Sequence, residues 1–158
     1  MIVCLVGTSP YSFDRLVKKI DEKIAIENEV FLQLGNTTYK PKNCKFTEFV
    51  EKNKLIEMMK SANLVIAQGG YGSMMDAIQL EKKVIAIPRE EQYKELIGDQ
   101  SELVKYFESK KYVIGCYEID DLEKLVQECL ENKYEFNKYI PESNHKISQM
   151  IEAFINEL

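Results

Sequence analysis

The chain has 158 residues and a formal charge of −5, from 21 Lys and Arg against 26 Asp and Glu. That length suits one domain, which buries roughly 70% of the surface its unfolded chain would expose, so no disulfide or metal is needed for cohesion. Hydrophobic residues at 45% and charged residues at 30% exclude wholesale disorder, and the acidic balance argues against nucleic acid as a partner. Any bound anion must be held by local dipoles and a few placed cations.

Cys4, Cys44, Cys116 and Cys129 form no C-x-x-C pair, and with the single histidine, His145, they make no zinc spacing. They read as reduced thiols, and no metal or cofactor is expected. His145 stands in a polar stretch with no paired nucleophile and reads as structural or exposed. The opening MIVCLVGTSP has no basic leader, and no stretch approaches the 18 apolar residues of a membrane span. The expectation is a cytoplasmic protein without a transmembrane segment of its own.

In chain order, Ile2 to Val6 is an apolar run stopped by Gly7-Thr8-Ser9-Pro10, as a strand buried on both faces would be. Phe13, Leu16, Val17, Ile20 and Ile24 then make one helical stripe. Val30 to Leu34 and Asn43 to Thr47 read as strands, and Leu55 to Met59 as a helix ending near Ser61. Leu64 to Ala67 is a clear strand that runs into Gln68-Gly69-Gly70-Tyr71-Gly72-Ser73 and a helix from about Gly72 to Leu80. Val84 to Ile87 is a strand closed by Pro88. Tyr93 to Lys110 is helical in part, broken near Gly98, and Tyr112 to Ile114 is a last short strand. Ile119 to Leu130 is an amphipathic helix, residues 131–142 are a candidate hinge, and residues 143–158 form a terminal helix. This alternation predicts a single α/β domain, a Rossmann-like open parallel sheet with helices on both faces.

Ligands of such sheets bind outside the carboxyl ends of the strands. Glycines 69, 70 and 72 let the backbone approach a ligand, and the helix start with Ser73 offers free N–H groups to an anion such as a diphosphate. A turn that needs glycine for packing alone is the alternative. Asp76, one turn on, is either a ribose-hydroxyl acceptor or an ordinary acidic first-turn residue. Arg89 at a strand end can meet a phosphate, and Asp99 and Gln100 can read sugar hydroxyls. On the residues alone, a solvated surface residue is the preferred reading of each. The Glu51-Lys52-Asn53-Lys54 run reads as a solvated helix start.

IVCLVGTSPYSFDRLVKKI at the start and ANLVIAQGGYGSMMDAIQLEKKVIAIPRE in the centre resemble the two motifs of the glycosyltransferase family 28 C-terminal domain, over roughly residues 1–130. In size the chain is similar to short single-domain subunits of that family, such as the soluble subunit of the dolichol-linked chitobiose enzyme and bacterial capsule and exopolysaccharide subunits. The resemblance implies the donor-binding half of a GT-B glycosyltransferase, taking UDP-GlcNAc or UDP-galactose in a metal-free inverting transfer to a lipid-linked glycan. It places Gly7, Thr8, Gly69, Gly70, Gly72 and Ser73 at the diphosphate and Asp76 at the ribose. It places Val50 at the uracil through backbone atoms, and Asp99 and Gln100 at the donor sugar, where Arg89 joins them. The catalytic base belongs to a membrane-associated, acceptor-binding partner, which would recruit the chain to the cytoplasmic face of the membrane. Two positions depart from the family pattern: Gln68, where many short members have His, and Asp99, where His or Gln is usual.

Two other classes remain open. One is a non-catalytic enhancer that stabilises another transferase. The other is a dinucleotide oxidoreductase, against which Gly70-Tyr71-Gly72 counts, being an incomplete fingerprint after the fourth strand instead of the first.

Overall fold

The computed structural model describes residues 1–141. The expected terminal helix over 143–158, and His145 with it, lies outside the described residues.

Six strands form one parallel sheet: β1 (Ile2–Leu5), β2 (Val30–Gln33), β3 (Lys45–Thr47), β4 (Leu64–Gln68), β5 (Val84–Ile87) and β6 (Ile114–Gly115). Their spatial order is β3-β2-β1-β4-β5-β6. The chain builds outward from β1 to β3, then returns to the other side of β1 with β4. Direction therefore reverses between β1 and β4, the place where open α/β sheets bind ligands.

Both faces of the sheet are covered, which explains the unbroken apolar runs of its central strands. Ile2, Cys4, Leu64, Ile66, Ile85 and Ile87 pack with α1 (Asp14–Lys19) and α6 (Leu122–Leu130). Val3, Leu5, Val65, Ala67, Val84 and Ala86 face α3 (Lys52–Ser61), α4 (Tyr71–Gln79) and α5 (Ser101–Ser109). Alternate side chains of one strand thus serve separate cores.

Two elements differ from the sequence reading, the first helical stripe and the last strand. The first helical stripe is α1, then a π-turn over Ile20–Ile24, then α2 (Ala25–Glu27). Within the π-turn Asp21 is buried, and its Oδ1 accepts the N–H groups of Lys42 at 2.9 Å and Asn43 at 2.6 Å. The Tyr39 phenol donates to its Oδ2 at 2.9 Å. One carboxylate therefore pins the loop that leads into β3. As the sequence reading expects, Tyr93 to Lys110 is helical only in part: a 3₁₀ turn over Glu91–Tyr93 comes first, and α5 begins at Ser101. The last strand starts two residues late, because Tyr112 joins a ring cluster with Phe107 and Tyr139. Residues 131–141 lie against the domain: Asn137 donates to the Lys111 and Lys110 carbonyls, and Tyr134 to Glu128.

Candidate functional site

A crevice of about 390 Å³ opens at the carboxyl ends of β1 and β4. It brings together Gly7, Thr8, Val50, Gly70, Gly72, Ser73 and Asp76, and adds Gln33, Phe49, Lys52 and Gln68. A larger open groove lies toward the amino end of β2, between residues 22–28 and α6. It carries charges of both signs and lies away from the glycine loop after β4. The chemistry points to the crevice.

The β1 wall is set by Gln33, which is buried at the end of β2. Its Oε1 accepts the Gly7 N–H at 2.8 Å, and its Nε2 donates to the Gly7 and Glu48 carbonyls at 3.0 Å each. One amide thus ties the loop after β1 to the loop that carries Phe49 and Val50. Gly7 has φ +82°, and a Cβ there would overlap Gln68. Its N–H is spoken for, so Gly7 supplies room for a ligand and not a donor.

The β4 wall is different. Gly70 caps α4 in an extended conformation with no side-chain cap, so the first-turn N–H groups of Tyr71, Gly72 and Ser73 lack intrahelical acceptors. A Cβ at Gly72 would meet nothing within 4 Å, which leaves those amides open to an anion at the positive end of the helix. Gly69 plays another part. It is buried, its N–H donates to the Ile87 carbonyl at 2.8 Å, and a Cβ would fall 2.7 Å from Val104 and 3.0 Å from Pro88. It is a packing glycine, and its expected place at a diphosphate is corrected.

Asp76 lies one turn behind those amides on the same face of α4. Its Oδ1 is 3.3 Å from the Lys52 Nζ at the start of α3, with side chains 28% and 71% exposed. Lys52 is the solvated helix start that the sequence reading expects, and it also stands in the crevice lining as its cation. Phe49 is 53% exposed at the rim beside Val50.

Arg89 is the second correction. It is 1% exposed, and its guanidinium donates to the carbonyls of Val6, Tyr11, Ser12 and Glu95 and to Gln68 Oε1, with the Phe13 ring 4.5 Å away. Burial pulls its pKa down to about 10, still charged at neutral pH. It locks the end of β5 to the loop after β1 and does not line the crevice. Beside it, Arg15 forks onto the buried Glu95 at 2.7 and 3.0 Å, fixing the loop after Pro88. Gln100 Oε1 accepts the Arg89 N–H at 3.0 Å, and its Nε2 sits behind Gly70. Asp99 is exposed and accepts the Ser101 N–H at the head of α5. Gln100 and Asp99 therefore stand at the shoulder of the glycine loop, outside the crevice lining.

Among the described residues no group of three His, Cys, Asp or Glu side chains is placed to hold a metal ion, and no helix is long and apolar enough to cross a membrane. The described residues lining the crevice include one carboxylate, Asp76, and no histidine.

The chain matches the glycosyltransferase family 28 C-terminal domain over residues 1–154. It belongs to that family. The mouse (Mus musculus) UDP-N-acetylglucosamine transferase subunit ALG13 is 28% identical over 123 residues, 70% of this chain but 10% of that protein. Among solved structures, MurG of Acinetobacter baumannii superposes with a TM-score of 0.63 at 12% identity, over 99% of this chain and 50% of that one. The UDP-GlcNAc 2-epimerase of Methanocaldococcus jannaschii, crystallised with UDP-GlcNAc and UDP, gives 0.63 at 16% identity, over 99% and 45%. At those identities the likeness is one of fold, that of GT-B glycosyltransferases and UDP-GlcNAc 2-epimerases. This family 28 domain spans half or less of each of these relatives.

Proposed function

We propose that this chain is the UDP-sugar-binding catalytic subunit of a two-part inverting hexosyltransferase. A membrane-associated partner holds the acceptor, a lipid-linked glycan of the capsule or exopolysaccharide kind. The observation that carries the reading is Asp76 one turn behind the uncapped amino end of α4, with both facing the crevice between β1 and β4. Family membership and the designation of the mouse relative as a transferase subunit support it.

In this reading the diphosphate lies on the amides of Gly72 and Ser73 with Gly70, Gly7 and Thr8 around it. The ribose hydroxyls donate to Asp76, and the uracil meets the backbone at Val50. The donor sugar, from UDP-GlcNAc or UDP-galactose, extends toward Gln100 and Asp99. The acceptor hydroxyl oxygen forms a bond to the sugar C1 from the face opposite the diphosphate. The C1–O bond breaks, and its electron pair leaves on the β-phosphate of UDP. The helix dipole and the α4 amides are preorganised where that charge grows, which lowers the barrier. The acceptor proton passes to a base supplied by the partner.

Thermal unfolding with UDP, ADP, GDP and NAD tests the reading. UDP should raise the melting temperature most, and UDP-GlcNAc and UDP-galactose should then separate the donor. Stabilisation by NAD or ADP with none by UDP would overturn it.

A further inference from the structure

Arg89 is committed to main-chain carbonyls and Gln68 and is not available to a diphosphate in the crevice. Among the described residues lining the crevice, Lys52 carries the positive charge and Asp76 the negative one. Their Nζ–Oδ1 distance is 3.3 Å, and the Lys52 side chain is 71% exposed. A pair this exposed is weakly held, so either partner can be exchanged at little cost.

The position of Lys52 is also unfavourable for its own helix. It opens α3 directly after the Glu51 N-cap, where a cation gains nothing from the helix dipole, and its ammonium reaches across to Asp76. α1, α5 and α6 carry Asp14, Glu102 and Glu123 there, while α4, like α3, carries no acidic residue in its first turn. Lys52 therefore adds nothing to its own helix, and its ion pair lies within the crevice lining.

We propose that Lys52 is the phosphate-binding cation of the crevice, parked on Asp76 while the nucleotide is absent and released to the diphosphate when ribose hydroxyls take the carboxylate. The flexible four-carbon stem and three donors of lysine suit such an exchange. The inference rests on the nucleotide reading above and adds to it a residue that changes partners on binding.

The test compares UDP with uridine, by calorimetry at low and physiological salt, on the wild type, Lys52→Gln and Lys52→Arg. Lys52→Gln should weaken UDP roughly tenfold, the loss of one charged hydrogen bond at a largely exposed site. It should leave uridine no weaker, flatten the salt dependence of UDP, and keep the melting temperature of the free protein. Lys52→Arg should retain UDP. Equal UDP affinity for wild type and Lys52→Gln would overturn the proposal. So would a parallel gain for UDP and uridine, which would make Lys52 a mere occupant of the ribose position. A wild type that binds neither ligand would overturn the nucleotide reading itself, and Lys52 with it.

Discussion

Arg89 Nε donates to Gln68 Oε1 at 2.7 Å, so a buried arginine at the end of β5 decides which way the glutamine at the end of β4 faces. With its oxygen held, the amide nitrogen of Gln68 is turned between Gly7 and Gly70, at the bottom of the crevice. Arg89→Met removes that tether and leaves the carbonyls of Val6, Tyr11, Ser12 and Glu95 without their donor. The expected loss is about 3–5 kcal/mol of stability in chemical denaturation, the range for buried polar groups stripped of a charged partner. A fully stable variant that no longer binds UDP would instead make Arg89 a direct ligand contact.

Gly72→Ala should separate stability from binding. The position is helical with open space where the Cβ would go, so alanine should stabilise the protein by up to about 1 kcal/mol. The same methyl would stand where a diphosphate approaches the α4 amides, and UDP should bind more weakly. A variant that gains stability and keeps full UDP affinity would show that this turn does not face the ligand.

The architecture was legible because it depends on residue patterns: unbroken apolar strands alternating with helical stripes read directly as a sheet covered on both faces. The β4–α4 loop was legible for the same reason, since small residues between a strand and a helix mark a backbone approach. Arg89 was not, because a strand-end arginine is ordinarily exposed, and its five acceptors come from segments as far apart as Val6 and Glu95. Gln33 carried a faint signal, a polar residue inside the apolar Val30–Leu34 run, that points to a buried amide with work to do. Lys52 carried none. Its role appears only when α3 and α4 are placed side by side.

UDP should bind equally well in EDTA and in Mg²⁺, because amides and a lysine, and no cluster of carboxylates, face the diphosphate position. Calorimetry in the two buffers checks this. Binding seen only with the divalent ion would mean that the metal supplies the charge assigned here to the protein.

The Asp21 clamp predicts stability losses at both ends of the pH scale. Burial pushes the Asp21 carboxyl up, but the N–H groups of Asn43 and Lys42 and the Tyr39 phenol outweigh it and hold the pKa below the ordinary 3.8. Its contribution is therefore complete above that value and is lost as pH falls through the lower folded one. Tyr39 goes the other way, pushed up to about 12 from 10.0, first by its hydrogen bond to Asp21 and then by burial. Its contribution is complete below pH 10 and lost as pH rises toward 12. Asp21→Asn should flatten the acid limb of a stability profile, and Tyr39→Phe the alkaline one. Unchanged limbs in both variants would remove the clamp from the account.

In the proposed nucleotide site, Asp76 holds the ribose. UDP and thymidine diphosphate, which lacks the 2′-hydroxyl, should be titrated into the wild type and into Asp76→Ala. UDP should lose about 1.5–3 kcal/mol from the substitution, the value of a hydrogen bond to a charged group, and thymidine diphosphate should lose less. Equal losses for the two nucleotides, or no loss for either, would contradict the placement of the ribose on Asp76.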